Sequence, residues 1–293
     1  MSRIHEAVKK AAQDRKVEAG SDWANAEDIL SMSSAMLLTA HAEIQPKQTE
    51  RTTQLLQCAT EEWSPDERKM LFSHDSLDPF AREQFRSLRT KFGQLREDRP
   101  VSVVAVVSAL SGEGKTFVAA NMAHAFAVQR EQRVLLVDCD LRRGGLSKLV
   151  GARSRPGLSD YLMGDAELES VLQAGFDGRL HLIPSGRPMR EPGDLIGRSR
   201  FPKLMAHLRT MFDWIVIDTP PVIQFADASL IADECDGVLF VVCSGVTPVQ
   251  LAKRALRSFN KMSILGAVLN RADEIETASK YYAYGEKAAL VSR

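Results

Sequence analysis

Ser108-Ala109-Leu110-Ser111-Gly112-Glu113-Gly114-Lys115-Thr116 decides the reading of this sequence. A β-branched run over 101–108 leads into it, which predicts a buried strand. Val118, Ala119, Met122, Ala123 and Phe126 follow it on one face of a predicted helix. Strand, glycine-rich turn and helix in that order form an anion cradle. Gly112 and Gly114 let backbone N–H groups turn inward with no Cβ in the way. The helix N-terminus adds its own amides and positive dipole end. Ser111, Gly112, Glu113, Gly114, Lys115, Thr116 and Phe117 are therefore the candidate nucleotide contacts. Lys115 reaches the β- and γ-phosphates in this reading, and the Thr116 hydroxyl ligates Mg²⁺. One departure from GxxxxGK[ST] is Ala109, which replaces the first glycine.

Working outward, apolar runs over 134–137, 180–184, 215–217, 238–243 and 264–269 predict strands. Helical spacing covers 80–95, 202–211, 228–233 and 248–259. Alternation of strand and helix implies an α/β fold of the P-loop NTPase kind. Its sheet is mostly parallel, with helices on both faces. Asp138 and Asp140 close the second strand, and Asp218, in Asp218-Thr219-Pro220-Pro221, closes the 215–217 strand. Ligands of open parallel sheets sit outside the carboxyl ends of the strands. A lone Asp after a strand is as readily a turn or cap residue. Three of them on the phosphate edge favour a site built from Lys115, Asp138, Asp140 and Asp218, with Thr116, Asp138 and Asp218 as metal candidates.

The chain has 293 residues, with 38 basic and 38 acidic side chains balancing to zero net charge. That balance gives no footing for phosphate-driven nucleic-acid binding. No apolar run approaches the ~20 residues needed to span a bilayer. Met1–Arg15 is too charged for a signal-peptide core, so a cytoplasmic location is expected. Cys58, Cys139, Cys235 and Cys243 share no metal-ligand spacing and read as buried reduced thiols. Residues 1–77 read as a separate N-terminal region. Ile4, Val8, Ala11 and Ala12 predict a short amphipathic helix. The polar stretch 21–73 is expected to be largely disordered or weakly helical. The domain proper is placed at 78–275, and a tail at 276–293.

The segments SGEGKT (Ser111–Thr116), VDCDLR (Val137–Arg142) and IDTPP (Ile217–Pro221) resemble the Walker A, A′ and B motifs of the bacterial tyrosine kinases. The resemblance spans about 78–285. The start, Met1-Ser2-Arg3-Ile4-His5-Glu6-Ala7, is similar to that of tyrosine autokinases associated with exosortase and exopolysaccharide loci. The resemblance implies an ATP- and Mg²⁺-dependent kinase in which Thr116 and Asp218 hold the metal. Asp138 or Asp140, Asp138 first, would orient or deprotonate the attacking phenol. Asn270 and Arg271 match a position that contacts adenine in related ATPases, although an Asn after a strand is often a turn residue. Glu83, Arg86 and Arg89, in ExxRxxR spacing, match an oligomer contact and imply a homo-oligomeric ring. A separate transmembrane chain-length regulator would activate the kinase and recruit it to the inner face of the membrane. Gly144 departs from the family, standing where relatives often have Pro.

Tyr281, Tyr282 and Tyr284 fall within four residues of one another, out of four tyrosines in all. They are the expected phosphoacceptors, and phosphate would add about −1.5 to −2 charge to each. Aromatic anchoring of the terminus is the competing reading. The competing function is a non-kinase ATPase switch of the partitioning or septum-positioning type. Its loop usually carries an extra Lys where Ala109 or Leu110 stands here.

Overall fold

The computed structural model describes residues 59–60, 62–72, 79–129, 132–259 and 263–272. Its frame is one eight-stranded sheet in the order β1-β4-β5-β3-β6-β2-β7-β8. The central strands are β2 (Val103–Ser108), β3 (Val134–Asp138), β6 (Trp214–Asp218) and β7 (Gly237–Cys243). Each is a continuous apolar run buried almost throughout, the pattern expected of strands covered on both faces. β5 (Leu180–Ile183) and β8 (Ile264–Asn270) extend the parallel pairing on either side. β4 (Gln173–Gly175) runs antiparallel to β5 and carries the two-residue β1 (Ala59–Thr60) outside it.

Every apolar segment expected as a strand is one, and the expected helices appear with ends moved by up to three residues. They are α1 (Pro79–Asp98), α2 (Lys115–Ala127), α7 (Arg200–Met211), α8 (Asp227–Ala232) and α9 (Val249–Arg257). Four short helices had no sequence signal: α3 (Leu146–Val150), α4 (Leu158–Met163), α5 (Leu168–Val171) and α6 (Gly193–Ile196). At four to six residues they are too short to show a 3.6-residue period. β4 was equally invisible, being three residues long with Gly at its end.

Two apolar clusters fill the faces of the sheet. Phe85, Phe92, Met122, Phe126 and Leu146 pack on one side, with α1, α2 and α3. Phe201, Leu204, Leu208, Ile231 and Phe259 pack on the other, with α4 to α9. Complete burial of such side chains contributes about 1.5–3 kcal/mol each. Residues 62–72 belong to this packing: Trp63, Met70 and Leu71 are buried. Asn121 on α2 ties the segment down, accepting from the Leu71 amide at 2.8 Å and donating to the Lys69 carbonyl at 2.8 Å. The ordered fold thus reaches into the stretch assigned from sequence to the N-terminal region.

Candidate active site

Parallel pairing brings the carboxyl ends of β2, β3 and β6 to one edge. The β3–β6 register sets Asp138 directly beside Asp218. The phosphate loop leaves β2, the strand on the other side of β6, and enters α2 at Gly114. Gly112 (φ +85°) and Gly114 (φ +97°) both occupy the left-handed region. At Gly114 a Cβ would stand 2.0 Å from the Asn270 side-chain nitrogen. Asn270 Nδ2 donates to the Glu113 carbonyl at 2.8 Å, so β8 grips the loop through the space that glycine leaves.

Glu113 braces the loop from within. It is almost fully buried, and its Oε2 accepts from the Leu110 amide at 2.6 Å. Its Oε1 accepts from the Thr247 hydroxyl, and that hydroxyl accepts from the Cys243 amide at 3.0 Å. Thr247, in the loop after β7, had no sequence signal, because a lone Thr after a strand belongs to no motif.

Lys115, Asp138, Asp140 and Asp218 are all buried at this edge. Thr116 Oγ1 donates to Asp218 Oδ2 at 2.7 Å. The other Asp218 oxygen, Oδ1, is buried and has no hydrogen-bond partner. Burial pushes the Asp218 carboxyl up to about 7, against the opposing pull of the Lys115 ammonium. Asp138 is completely buried; its Oδ2 accepts from the Gly145 and Leu146 amides at 2.8 and 3.1 Å, and its Oδ1 from the Asp140 amide at 3.2 Å. Burial outweighs those three amides and pushes this carboxyl up to about 6, with the neighbouring Asp140 charge adding to the rise.

An orphaned carboxylate oxygen beside a threonine hydroxyl fits a hard cation that takes oxygen ligands. Among the described residues no group of three or more His, Cys, Asp or Glu side chains could hold a metal ion. The donors present therefore suit Mg²⁺ that arrives with phosphate and keeps most of its other ligands as phosphate oxygens and water. The left-handed glycines and inward amides fit the phosphates themselves.

The remaining expected residues separate. Ser111 lies exposed on the loop and accepts from Arg143 Nη1 at 2.9 Å. The Phe117 ring turns away and meets Phe85 edge-on at 5.8 Å between centroids. Arg271 follows β8 in a left-handed conformation (φ +54°). Glu83 and Arg86 pair with each other at 3.2 Å on the exposed face of α1. Arg89 instead donates to the Ala125 carbonyl at 3.1 Å, anchoring α1 to α2. Gly144, where family members often carry Pro, has φ +57°, and a Cβ there would stand 2.1 Å from Ser185 Oγ. Proline is fixed near −65°, so the turn as built requires glycine. Tyr281, Tyr282 and Tyr284 lie outside the described residues.

A nucleotide loop, a threonine–aspartate metal position and a second carboxylate pair at one edge of a parallel sheet define a P-loop nucleotide-binding domain. The AAA domain family model matches residues 101–261. Tyrosine-protein kinase YwqD of Bacillus subtilis is 32% identical over 207 residues, which are 70% of this chain and 86% of that protein. The kinase domain of Escherichia coli tyrosine kinase ETK superposes with a TM-score of 0.60 at 30% identity, covering 66% of this chain and 78% of that one. The septum site-determining protein MinD of Pyrococcus horikoshii, complexed with Mg-ADP, is more distant, with a TM-score of 0.50 at 25% identity over 61% of this chain and 76% of that one. This chain belongs to the bacterial tyrosine-protein kinases. Among the described residues no helix is long and apolar enough to cross a membrane.

Proposed function

We propose that this kinase transfers the γ-phosphoryl group of Mg·ATP to Tyr281, Tyr282 or Tyr284 of a neighbouring copy. The convergence of Lys115, Thr116, Asp138, Asp140 and Asp218 at one edge supports the reading most. When bound with ATP, Mg²⁺ would supply charge neutralisation at the phosphate chain. Thr116 and Asp218 would hold that ion, and the loop amides and Lys115 would hold the phosphates. Asp138, whose carboxyl sits near 6, takes the phenolic proton. The phenolate oxygen forms its bond to the γ-phosphorus. The bond from that phosphorus to the β,γ-bridging oxygen breaks, and the electron pair leaves on ADP. Asp138 is fully enclosed here, so base duty requires the Gly145 and Leu146 amides to give up their two contacts to Oδ2. Asn270 and Arg271 are proposed as the contacts to the adenine base.

Glu83, Arg86 and Arg89 are proposed as the contact between copies, and a ring is the arrangement that presents each tail to the next active site. A separate membrane protein of the chain-length-regulator class would bring the kinase to the inner face of the membrane. Phosphorylated tails would repel one another and loosen the ring. That cycle would regulate exopolysaccharide polymerisation and export.

An ATPase switch is the second reading, favoured by the likeness to MinD. Incubating the purified full chain with Mg·ATP, with and without the partner's cytoplasmic tail, separates the two. Phosphotyrosine at 281, 282 or 284 by mass spectrometry supports the autokinase. Hydrolysis with no phosphotyrosine in either condition overturns it and favours the switch. Tyr281/Tyr282/Tyr284→Phe is expected to abolish the signal.

A further inference from the structure

The turn after β3 sends two adjacent arginines in opposite directions. Arg142 Nε donates to Asp227 Oδ2 at 3.0 Å, and its Nη1 donates to the Arg190 carbonyl. Its guanidinium lies 4.2 Å from the centre of the Phe225 ring. The charge and faces of Arg142 are thereby committed to holding the start of α8. Arg143 points to the phosphate loop instead, and its Nη1 meets Ser111 Oγ at 2.9 Å. The backbone imposes that direction. The Arg143 amide donates to Asp140 Oδ1 at 3.2 Å and to the Asp140 carbonyl at 3.2 Å. The Gly144 amide closes the turn on the same carbonyl at 2.8 Å.

Arg143 is exposed, and among the described residues it makes no ion pair. One hydrogen bond from an exposed guanidinium to a neutral hydroxyl contributes little in water, and it must offset the rotamer freedom lost in ordering an arginine side chain. Fold stability therefore does not account for its placement. Charge at the site does. The loop from Ser108 to Thr116 carries a single cation, Lys115. Part of that charge is already engaged by Asp218, whose carboxyl Lys115 pulls downward. A phosphoryl group in flight spreads negative charge over its equatorial oxygens, and a guanidinium is shaped to meet it bidentately.

We propose that Arg143 is a further catalytic residue: an arginine supplied in cis, held at Ser111 of the phosphate loop, that meets the γ-phosphoryl oxygens of a bound triphosphate. This rests on the phosphoryl-transfer reading above. A guanidinium that meets the γ-phosphoryl oxygens discriminates triphosphate from diphosphate, because a diphosphate lacks the group it would contact. It also stabilises the transition state more than the ground state, a contribution of the kind that raises rate rather than affinity alone.

The test uses the full chain with Arg143→Gln and Arg143→Lys. Affinities for Mg·ADP and for a non-hydrolysable Mg·triphosphate analogue are measured by competition against a fluorescent nucleotide, and phosphotyrosine formation is timed in parallel. Arg143→Gln is expected to leave ADP affinity within about threefold and to weaken the triphosphate analogue about tenfold or more. Phosphotransfer should slow by about 100-fold or more. Arg143→Lys, which keeps the charge but not the fork, should recover part of both losses. Equal weakening of both nucleotides would show a merely structural role and overturn the proposal, as would wild-type triphosphate affinity and rate. Melting curves check that the exposed side chain is dispensable for folding. If the wild type hydrolyses ATP and makes no phosphotyrosine, the autokinase reading fails, and the ADP-against-triphosphate comparison still decides the arginine's role.

Discussion

At the N-terminal end of the sheet, Asp236 is fully engaged. It accepts from the Ser102 and Val103 amides at 2.7 Å each, and Arg209 Nη1 donates to both of its oxygens at 2.8 and 3.0 Å. Asp213 nearby accepts the Arg133 amide at 2.8 Å and pairs with its guanidinium at 3.3 Å. At the opposite end, Asp218 is more deeply buried and keeps one oxygen with no partner. Among the described residues no arginine pairs with Asp138 or Asp218. One end closes its charges internally and secures the strand starts. The other sets a single buried ammonium, Lys115, against the carboxylates of Asp138, Asp140 and Asp218, at a cost in stability, and an orphaned oxygen beside a threonine hydroxyl has the chemistry of a divalent-cation ligand. Incomplete compensation of this kind is where function and stability part company.

The largest expected effect tests the open end directly. Lys115→Met should lower phosphotyrosine formation by about 1000-fold or more, since the group proposed to hold the β- and γ-phosphates is lost. Residual activity above a tenth of wild type would remove the loop from the mechanism.

Next, one substitution at each end should separate activity from stability. Asp218→Asn is expected to cost about 100-fold or more in phosphotransfer. It should leave the melting temperature of the nucleotide-free chain unchanged or raised, because a desolvated carboxylate becomes a neutral amide. Asp236→Ala should do the reverse, destabilising by about 2 kcal/mol through orphaned amides and an unpaired Arg209, with kcat near wild type at permissive temperature. If Asp218→Asn melts earlier than Asp236→Ala, the contrast between the two ends is wrong.

The same contrast has a pH signature. Asp138 and Asp218 have folded-state values raised to about 6 and about 7 from 3.8. Between about 4 and 7 the folded chain therefore holds protons that the unfolded chain has released, and their contribution to stability falls as pH rises through that window. His124 and His181 act oppositely. Both are pushed down from 6.5 to about 4, mainly by burial, so their contribution is lost as pH falls through the same range. The readout is thus a difference: urea unfolding of wild type against Asp138→Asn/Asp218→Asn at pH 5 and pH 7.5. The double variant should gain on wild type at the higher pH. Saturating Mg·ADP should shrink that gain, because the bound ion compensates the carboxylates. An identical pH dependence in both proteins would mean the carboxylates titrate normally.

How much of this was legible in the sequence depends on run length and on who the partner is. The central strands were readable because β2, β3, β6 and β7 are continuous apolar runs with few alternatives. Lys115 and Thr116 are readable from the glycine-rich turn between strand and helix, and the three aspartates because each closes or follows such a run. The short α3 to α6 and the three-residue β4 were not, since no period develops in so few residues. Glu113 was chosen as a nucleotide contact by position alone, whereas its side chain is a brace to Leu110 and Thr247. Its partner lies 134 residues away, a pairing that spacing cannot announce. Arg143 carries no sequence signal that sets it apart from Arg142, because the two differ only in which way the turn points them.

The smallest expected effect concerns α1, where ExxRxxR reads as one unit and the structure divides it. Glu83 and Arg86 form an exposed pair, with half or more of each side chain open to water. Such a pair, three residues apart on a helix, contributes about 0.2–0.5 kcal/mol. Arg89 spends a guanidinium N–H on the last turn of α2, where the Ala125 carbonyl would otherwise lack a donor. Glu83→Ala and Arg86→Ala should therefore shift unfolding midpoints by less than about 0.5 kcal/mol, and Arg89→Ala by about 1 kcal/mol. Sedimentation velocity then tells contact from scaffold. If copies meet through α1, Glu83→Ala and Arg86→Ala will dissociate the assembly while barely touching stability. Arg89→Ala will weaken assembly only in proportion to its loosening of α1 on α2. Intact oligomers in the Glu83 and Arg86 variants would confine this motif to the fold of the single chain.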